Sequence, residues 1–166
     1  MVGKIELLIL DVDGVLTDGR VFLSADDEPL KRFHVRDGSA LKLWRQSGGK
    51  VAILSGRPGG VVERRAKELG IAEVRTGVAD KLREYDRLLD AMACSDEAVA
   101  YVADDHPDLG PMGRCGFPVA VADAASAVKR AAAYVTRRRG GDGAVAEVIE
   151  HLLRRAGKWN PRETGG

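Results

Sequence analysis

Short runs of apolar residues alternate along the chain with stretches in which apolar positions recur every three or four residues. The runs fall at residues 5–10, 50–54, 72–75 and 98–102, with a fifth at 119–121, and read as buried strands. Between them, Leu41, Leu43 and Trp44 precede a stop at Gly48, so the spacing predicts a helix over 38–48. A second helix is expected over 59–69, ended by Gly70, and a third over 80–92, where Leu82, Tyr85, Leu88, Leu89 and Met92 keep helical spacing. Segments 126–138 and 143–155 complete the helical set. Strands alternating with helices predict an α/β fold with a Rossmann-like parallel sheet flanked by helices. In such sheets ligands bind at the carboxyl ends of the strands.

Residues 20–35 break this alternation. Val21-Phe22-Leu23, the polar Asp26-Asp27-Glu28-Pro29 and the loosely alternating stretch 30–35 predict a β-hairpin flap over about 20–35. One domain is expected over 1–158, with a frayed tail at 159–166 and no internal repeat.

Composition changes this picture little. A chain of 166 residues is the size of one domain, and 45% hydrophobic content supports a globular fold. With 26 basic against 25 acidic residues, no overall field favours nucleic acid or a membrane surface. Cys94 and Cys115 form no metal pattern and read as reduced structural thiols. The absence of a long apolar segment predicts a soluble, cytoplasmic protein.

The chemistry begins where the first run ends, in Asp11-Val12-Asp13-Gly14-Val15-Leu16-Thr17-Asp18. In an extended backbone Asp11 and Asp13 point to the same side. Two neighbouring anions need a cation between them, and a hard ion such as Mg²⁺ takes carboxylate oxygens while keeping waters and phosphate oxygens in its octahedron. One carboxylate can then attack phosphorus while the other handles the proton of the leaving oxygen. Gly14 allows backbone amides to approach a phosphate closely. The competing reading is an Asp/Gly turn that merely ends a strand.

This octet resembles the first motif of the haloacid dehalogenase superfamily of phosphohydrolases, and within it the capless sugar-acid phosphatases. The likeness runs from Leu8 to about Leu153. It implies a Mg²⁺-dependent phosphomonoesterase in which Asp11 is the nucleophile and forms an aspartyl phosphate, and Asp13 acts as acid and then as base. Asp11, the main-chain carbonyl of Asp13, and Asp104 would hold the metal. The implied substrate is 3-deoxy-D-manno-octulosonate 8-phosphate, whose free sugar acid serves lipopolysaccharide synthesis. A nonulosonate 9-phosphate is the alternative, and a non-catalytic regulatory subunit a more distant one. The resemblance also implies a homotetramer whose hairpins meet and whose neighbouring subunits complete each site.

The remaining motifs each carry two readings. Ser55-Gly56-Arg57-Pro58 follows an apolar run, and on its own the tetrapeptide favours a helix cap. By resemblance it is the second motif, with Ser55 and the Gly56 amide on phosphate oxygens and Arg57 at the substrate. Lys81, in Gly77-Val78-Ala79-Asp80-Lys81, is either a solvated surface charge or the cation that the non-bridging oxygens of a phosphoryl group require; the resemblance assigns it the latter role. Ala103-Asp104-Asp105-His106-Pro107-Asp108 resembles the acidic fourth motif, with alanine in place of the usual glycine. Asp104 would bind Mg²⁺ directly, with Asp105 and Asp108 behind it. Arg36-Asp37-Gly38 is either a turn or part of a sugar-acid phosphatase signature, in which Arg36 and Lys31 meet the substrate carboxylate. Arg137-Arg138-Arg139 reads as a solvated charge run, and by resemblance the segment 140–145 folds over a neighbouring site. His34, His106 and His151 are assigned no role.

Overall fold

The computed structural model describes residues 4–23, 25 and 30–160. At its centre lies β1 (Leu7–Leu10), none of whose four side chains reaches solvent. It pairs in parallel with β2 (Lys50–Leu54) on one side and β4 (Val99–Ala103) on the other. β3 (Glu73–Arg75), β5 (Phe117–Ala120) and β6 (Tyr134–Val135) extend the sheet to the order β3-β2-β1-β4-β5-β6. Continuous apolar runs suit strands covered on both faces, and helices supply the cover. They are α1 (Val35–Gln46), α2 (Gly60–Leu69), α3 (Lys81–Met92), α4 (Leu109–Met112), α5 (Ser126–Ala131) and α6 (Ala144–Arg155).

The fold class expected from the sequence is the one found. Gly70 ends α2 at φ +67°, a left-handed conformation that closes the last turn and that glycine adopts without strain. Three expectations need correction. The helix expected over 126–138 stops at Ala131, because Tyr134 and Val135 pair with Val119 and Ala120 at the open edge of β5. The hairpin is reduced, among the described residues, to a single antiparallel bridge between Phe22 and Leu30; its polar turn at 26–29 lies outside them. Val35 opens α1 instead of closing that hairpin, since His34 caps the helix by accepting the Arg36 N–H at 3.1 Å on Nδ1. Of the segment expected as a tail, Trp159 packs beneath the Arg154 guanidinium, 5.3 Å from the ring centroid, and 161–166 lie outside the described residues.

The core depends on β1. Ile9→Ala removes a fully buried side chain from the central strand and should cost about 2–5 kcal/mol. In urea this should lower the unfolding midpoint without changing the slope.

Candidate active site

In the strand order, β1 and β4 are neighbours at the point where the connections reverse direction, which is where open α/β sheets leave a crevice. Asp11 follows β1 directly, and its N–H donates to the Val102 carbonyl at 3.2 Å, carrying the ladder one residue further. The backbone then leaves the strand. Thr17 N–H donates to the Val12 carbonyl at 3.1 Å, closing a turn inside which Asp13 and Gly14 have non-helical conformations. Asp11 and Asp13 therefore share a cleft through a tight turn, not through strand alternation. Gly14 is required twice over, by φ +88° and because a Cβ there would collide with the Asp104 carboxylate.

Asp104 follows β4 and faces Asp11 across the crevice. One carboxylate oxygen from each of Asp11, Asp104 and Asp108 can be chosen so that all lie within 4.8 Å of one another. Lys81, the first residue of α3, reaches this group from beyond β3. Its Nζ lies 2.7 Å from Asp108 Oδ1 and 3.0 Å from Asp11 Oδ1. Asp80 caps α3 by accepting the Arg83 N–H at 3.0 Å, so the helix start places the lysine. The Tyr101 hydroxyl donates to the same Asp108 Oδ1 at 2.7 Å. Tyr101 is a participant that sequence reasoning missed. Its one signal was a tyrosine in an otherwise aliphatic strand, whose buried hydroxyl needs a partner.

The electrostatics follow from crowding. Burial, and then the negative charge of Asp108, push the Asp11 carboxyl up to about 6, although Lys81 and the Val12 amide pull it back. Burial, reinforced by Asp11 and Asp108, pushes Asp104 up to about 8. Burial alone would lower Lys81, but Asp11 and Asp108 outweigh it and hold the ammonium above its ordinary range. Oδ1 of Asp104 and Oδ2 of Asp108 are buried without a hydrogen-bond partner, as is Oδ2 of Asp13. Unpartnered anionic oxygens facing one another fit a hard divalent cation, to which Asp11, Asp104 and Asp108 could all turn.

The other expected residues divide. Gly56 and Arg57 line the same cleft, of about 720 Å³. Ser55 follows β2, is 1% exposed, and its Oγ both accepts the Arg57 N–H and faces the Arg57 carbonyl, each at 3.4 Å. It does not cap a helix, because α2 starts only at Gly60. Lys31 Nζ makes an ion pair with Asp13 Oδ1 and is nearly buried. Asp105 is at the cleft rim, but its Oδ1 binds the backbone N–H and ring Nδ1 of His106, both at 2.8 Å, so it stands apart from the cluster. Arg36 is exposed on the first turn of α1 and lines a separate groove of about 890 Å³ with Arg137 and Arg138. Within one chain it does not face the carboxylates. In the segment 140–145, Gly140 and Gly141 pack against the Asp11 turn of their own chain. Ala103 closes β4 opposite Ala120, and its methyl group is accommodated in the core.

A parallel sheet with a lysine and an acidic cluster at its switch point is the arrangement of an α/β protein built for phosphoryl transfer. Residues 67–149 match the model of haloacid dehalogenase-like hydrolases. The 3-deoxy-D-manno-octulosonate 8-phosphate phosphatase of Escherichia coli K12 is 46% identical over 155 residues, 93% of this chain and 82% of that protein. The crystal structure of the Yersinia pestis phosphatase of the same name superimposes with a TM-score of 0.91 at 44% identity, covering 93% of this chain and 84% of that one. A Moraxella catarrhalis phosphatase of that name, solved with magnesium ion, phosphate ion and KDO, gives 0.89 at 38% identity, covering 91% and 87%. The chain belongs to the haloacid dehalogenase-like hydrolases.

The crowding has a consequence for stability. Asp104 in the metal-free fold keeps its proton up to about pH 8, whereas in the unfolded chain it releases it near pH 4. Between those values the folded state binds the extra proton, so Asp104 should destabilise the metal-free fold increasingly as pH rises from about 4, an effect at its full size above about 8. Asp104→Asn should therefore raise the melting temperature of EDTA-treated protein at pH 8 and have little effect near pH 4. It should also abolish the stabilisation that added Mg²⁺ gives the parent.

Proposed function

We propose that the protein is a Mg²⁺-dependent phosphomonoesterase that hydrolyses 3-deoxy-D-manno-octulosonate 8-phosphate to the free sugar acid and inorganic phosphate. The observation that carries this reading is Lys81 bridging Asp11 and Asp108 beside Asp104 at the tip of β1. The names of relatives that share nearly half their residues with this chain supply the substrate.

Oδ1 of Asp11 is engaged by the Val12 amide at 2.7 Å and by Lys81, which leaves its second oxygen as the nucleophile. That oxygen bonds to phosphorus as the bond to the sugar oxygen breaks, and Asp13 gives the departing alkoxide its proton. Asp13 then takes a proton from water, whose oxygen displaces Asp11 and releases phosphate. Lys81 balances charge on the non-bridging oxygens, and Ser55 donates to one of them once its hydroxyl turns from the Arg57 carbonyl. The Gly56 amide and the Arg57 side chain flank the entering group. Asp11, Asp104 and the Asp13 carbonyl would hold Mg²⁺, with Asp108 behind them, and the ion would neutralise the phosphoryl group as charge develops. Lys31, now on Asp13, must exchange that ion pair for the substrate carboxylate before Asp13 can serve as acid.

The same reading includes a homotetramer in the cytoplasm. Leu23 is 91% exposed, Val35 79% and Leu30 68%, with Phe22 beside them, an apolar surface that a second copy can cover. Among the described residues no helix is long and apolar enough to cross a membrane.

Phosphate release with Mg²⁺ should be fastest for the octulosonate ester in a panel that includes nonulosonate 9-phosphates, hexose phosphates and an aryl phosphate. A preference for a nonulosonate would keep the chemistry and change the substrate. Asp11→Asn should lower kcat by about 10³-fold or more, with circular dichroism and melting behaviour preserved; undiminished turnover would remove Asp11 as the nucleophile. Leu23→Asp should reduce the sedimentation coefficient, and a parent that sediments as a monomer would remove the tetramer.

A further inference from the structure

The stretch Val35-Arg36-Asp37-Gly38 lies outside the cleft, yet Asp37 is 2% exposed. Its Oδ1 accepts the Ala146 N–H at 2.8 Å, across 109 positions of sequence. Ala146 stands in the first turn of α6, whose own N-cap is Gly143, a residue with no side chain to cap with. A helix start needs acceptors for its free amides and favours negative charge, and a carboxylate from α1 supplies both.

The segment just before α6 touches the catalytic turn. Gly141 N–H donates to the Val15 carbonyl at 3.0 Å. A Cβ on Gly140 would collide with the Gly14 carbonyl, and one on Gly141 with the backbone of Thr17 and Asp18, so the two backbones are in direct contact. Gly14 in turn abuts the Asp104 carboxylate. A continuous line of contacts thus runs from Asp37 through the first turn of α6 and Gly141 to the turn that carries Asp13.

We propose that Asp37 is a positioning residue for the phosphoryl site: by capping α6 from α1, it seats the 140–143 segment against the turn after β1 and holds that turn in register with Asp104. The role of Arg36-Asp37-Gly38 is then to place the site from behind, with Asp37 as its working member. The inference rests on reading the cleft as a phosphoryl-transfer site.

The test compares Asp37→Asn, which keeps an acceptor oxygen, with Asp37→Ala, which does not. Mg²⁺ is titrated calorimetrically into EDTA-treated, dialysed protein, and kcat and KM are measured on an aryl phosphate at saturating Mg²⁺. In Asp37→Ala, Mg²⁺ affinity and kcat should each fall about tenfold with KM nearly unchanged, while Asp37→Asn should stay within about threefold of the parent. Hydrogen exchange should quicken at 140–146 and at 12–17 together, and stay unchanged at 81–92. A lower melting temperature with unaltered Mg²⁺ affinity and kcat would overturn the proposal, leaving Asp37 a helix cap only. If Asp37→Ala does not fold, Asp37→Ser, whose shorter side chain does not reach the Ala146 N–H, takes its place: faster exchange at both 140–146 and 12–17 supports positioning, and acceleration at 140–146 alone, or at neither, overturns it. A parent that releases no phosphate from any ester would reject the proposed function, while calorimetry and exchange would still judge Asp37.

Discussion

Three carboxylates share one small, largely dry space, and the rest of the molecule holds them there against their repulsion. Fully ionised, Asp11, Asp104 and Asp108 carry three negative charges against the single ammonium of Lys81, a deficit of two. Like charges about 4 Å apart repel by about 4 kcal/mol at an effective dielectric constant near 20, so the fold alone does not sustain the fully ionised state at neutral pH. The metal-free cluster relieves the repulsion by keeping protons, as the raised Asp11 and Asp104 show. A divalent cation relieves it by matching the deficit. Proton and metal therefore compete for the same oxygens, and a fold that tolerates either state is one that can load its ion after folding.

The sheet delivers these groups without a dedicated binding domain. Asp11, Ser55 and Asp104 directly follow β1, β2 and β4, and Lys81 opens α3, the helix after β3. That is why so much of the arrangement was legible: an apolar run that stops at a charged residue announces both the strand and what its tip presents. Lys81 would have passed for a surface residue by type alone, and it was its place after β3 that singled it out. Asp108 was read as standing behind the metal, and its carboxylate lies within reach of the Asp11 and Asp104 oxygens while holding Lys81.

What stayed hidden depends on partners far away in sequence. Tyr101 sits in an apolar strand and packs edge-on with Tyr85, so it reads as core; its link to Asp108 exists only once β4 bends into the following turn. Tyr134 and Val135 have helix-forming alanines on one side, and only the free hydrogen-bonding edge of β5 makes them a strand. Ser55 looked like a helix cap because serine is a favoured one, but four residues separate it from the first residue of α2. In each case local propensity gave an answer and a long-range contact overruled it.

The flap shows how one short segment serves two masters. Leu30 and Arg32 face outward while Lys31 turns in to Asp13, the alternation of an extended chain. Arg32 reaches Asp18 at 3.1 Å, so both ends of the catalytic turn are tied to this segment by ion pairs. An exposed ion pair such as Arg32 to Asp18 contributes little by itself. Covering Leu23 and Leu30 with another copy would restrict the segment far more strongly, because burying apolar area is worth more than a solvated charge contact. Ordering the flap from outside would then fix Lys31 over Asp13 on the inside, and any such covering would bear on the protonation chemistry of the cleft through the same few residues.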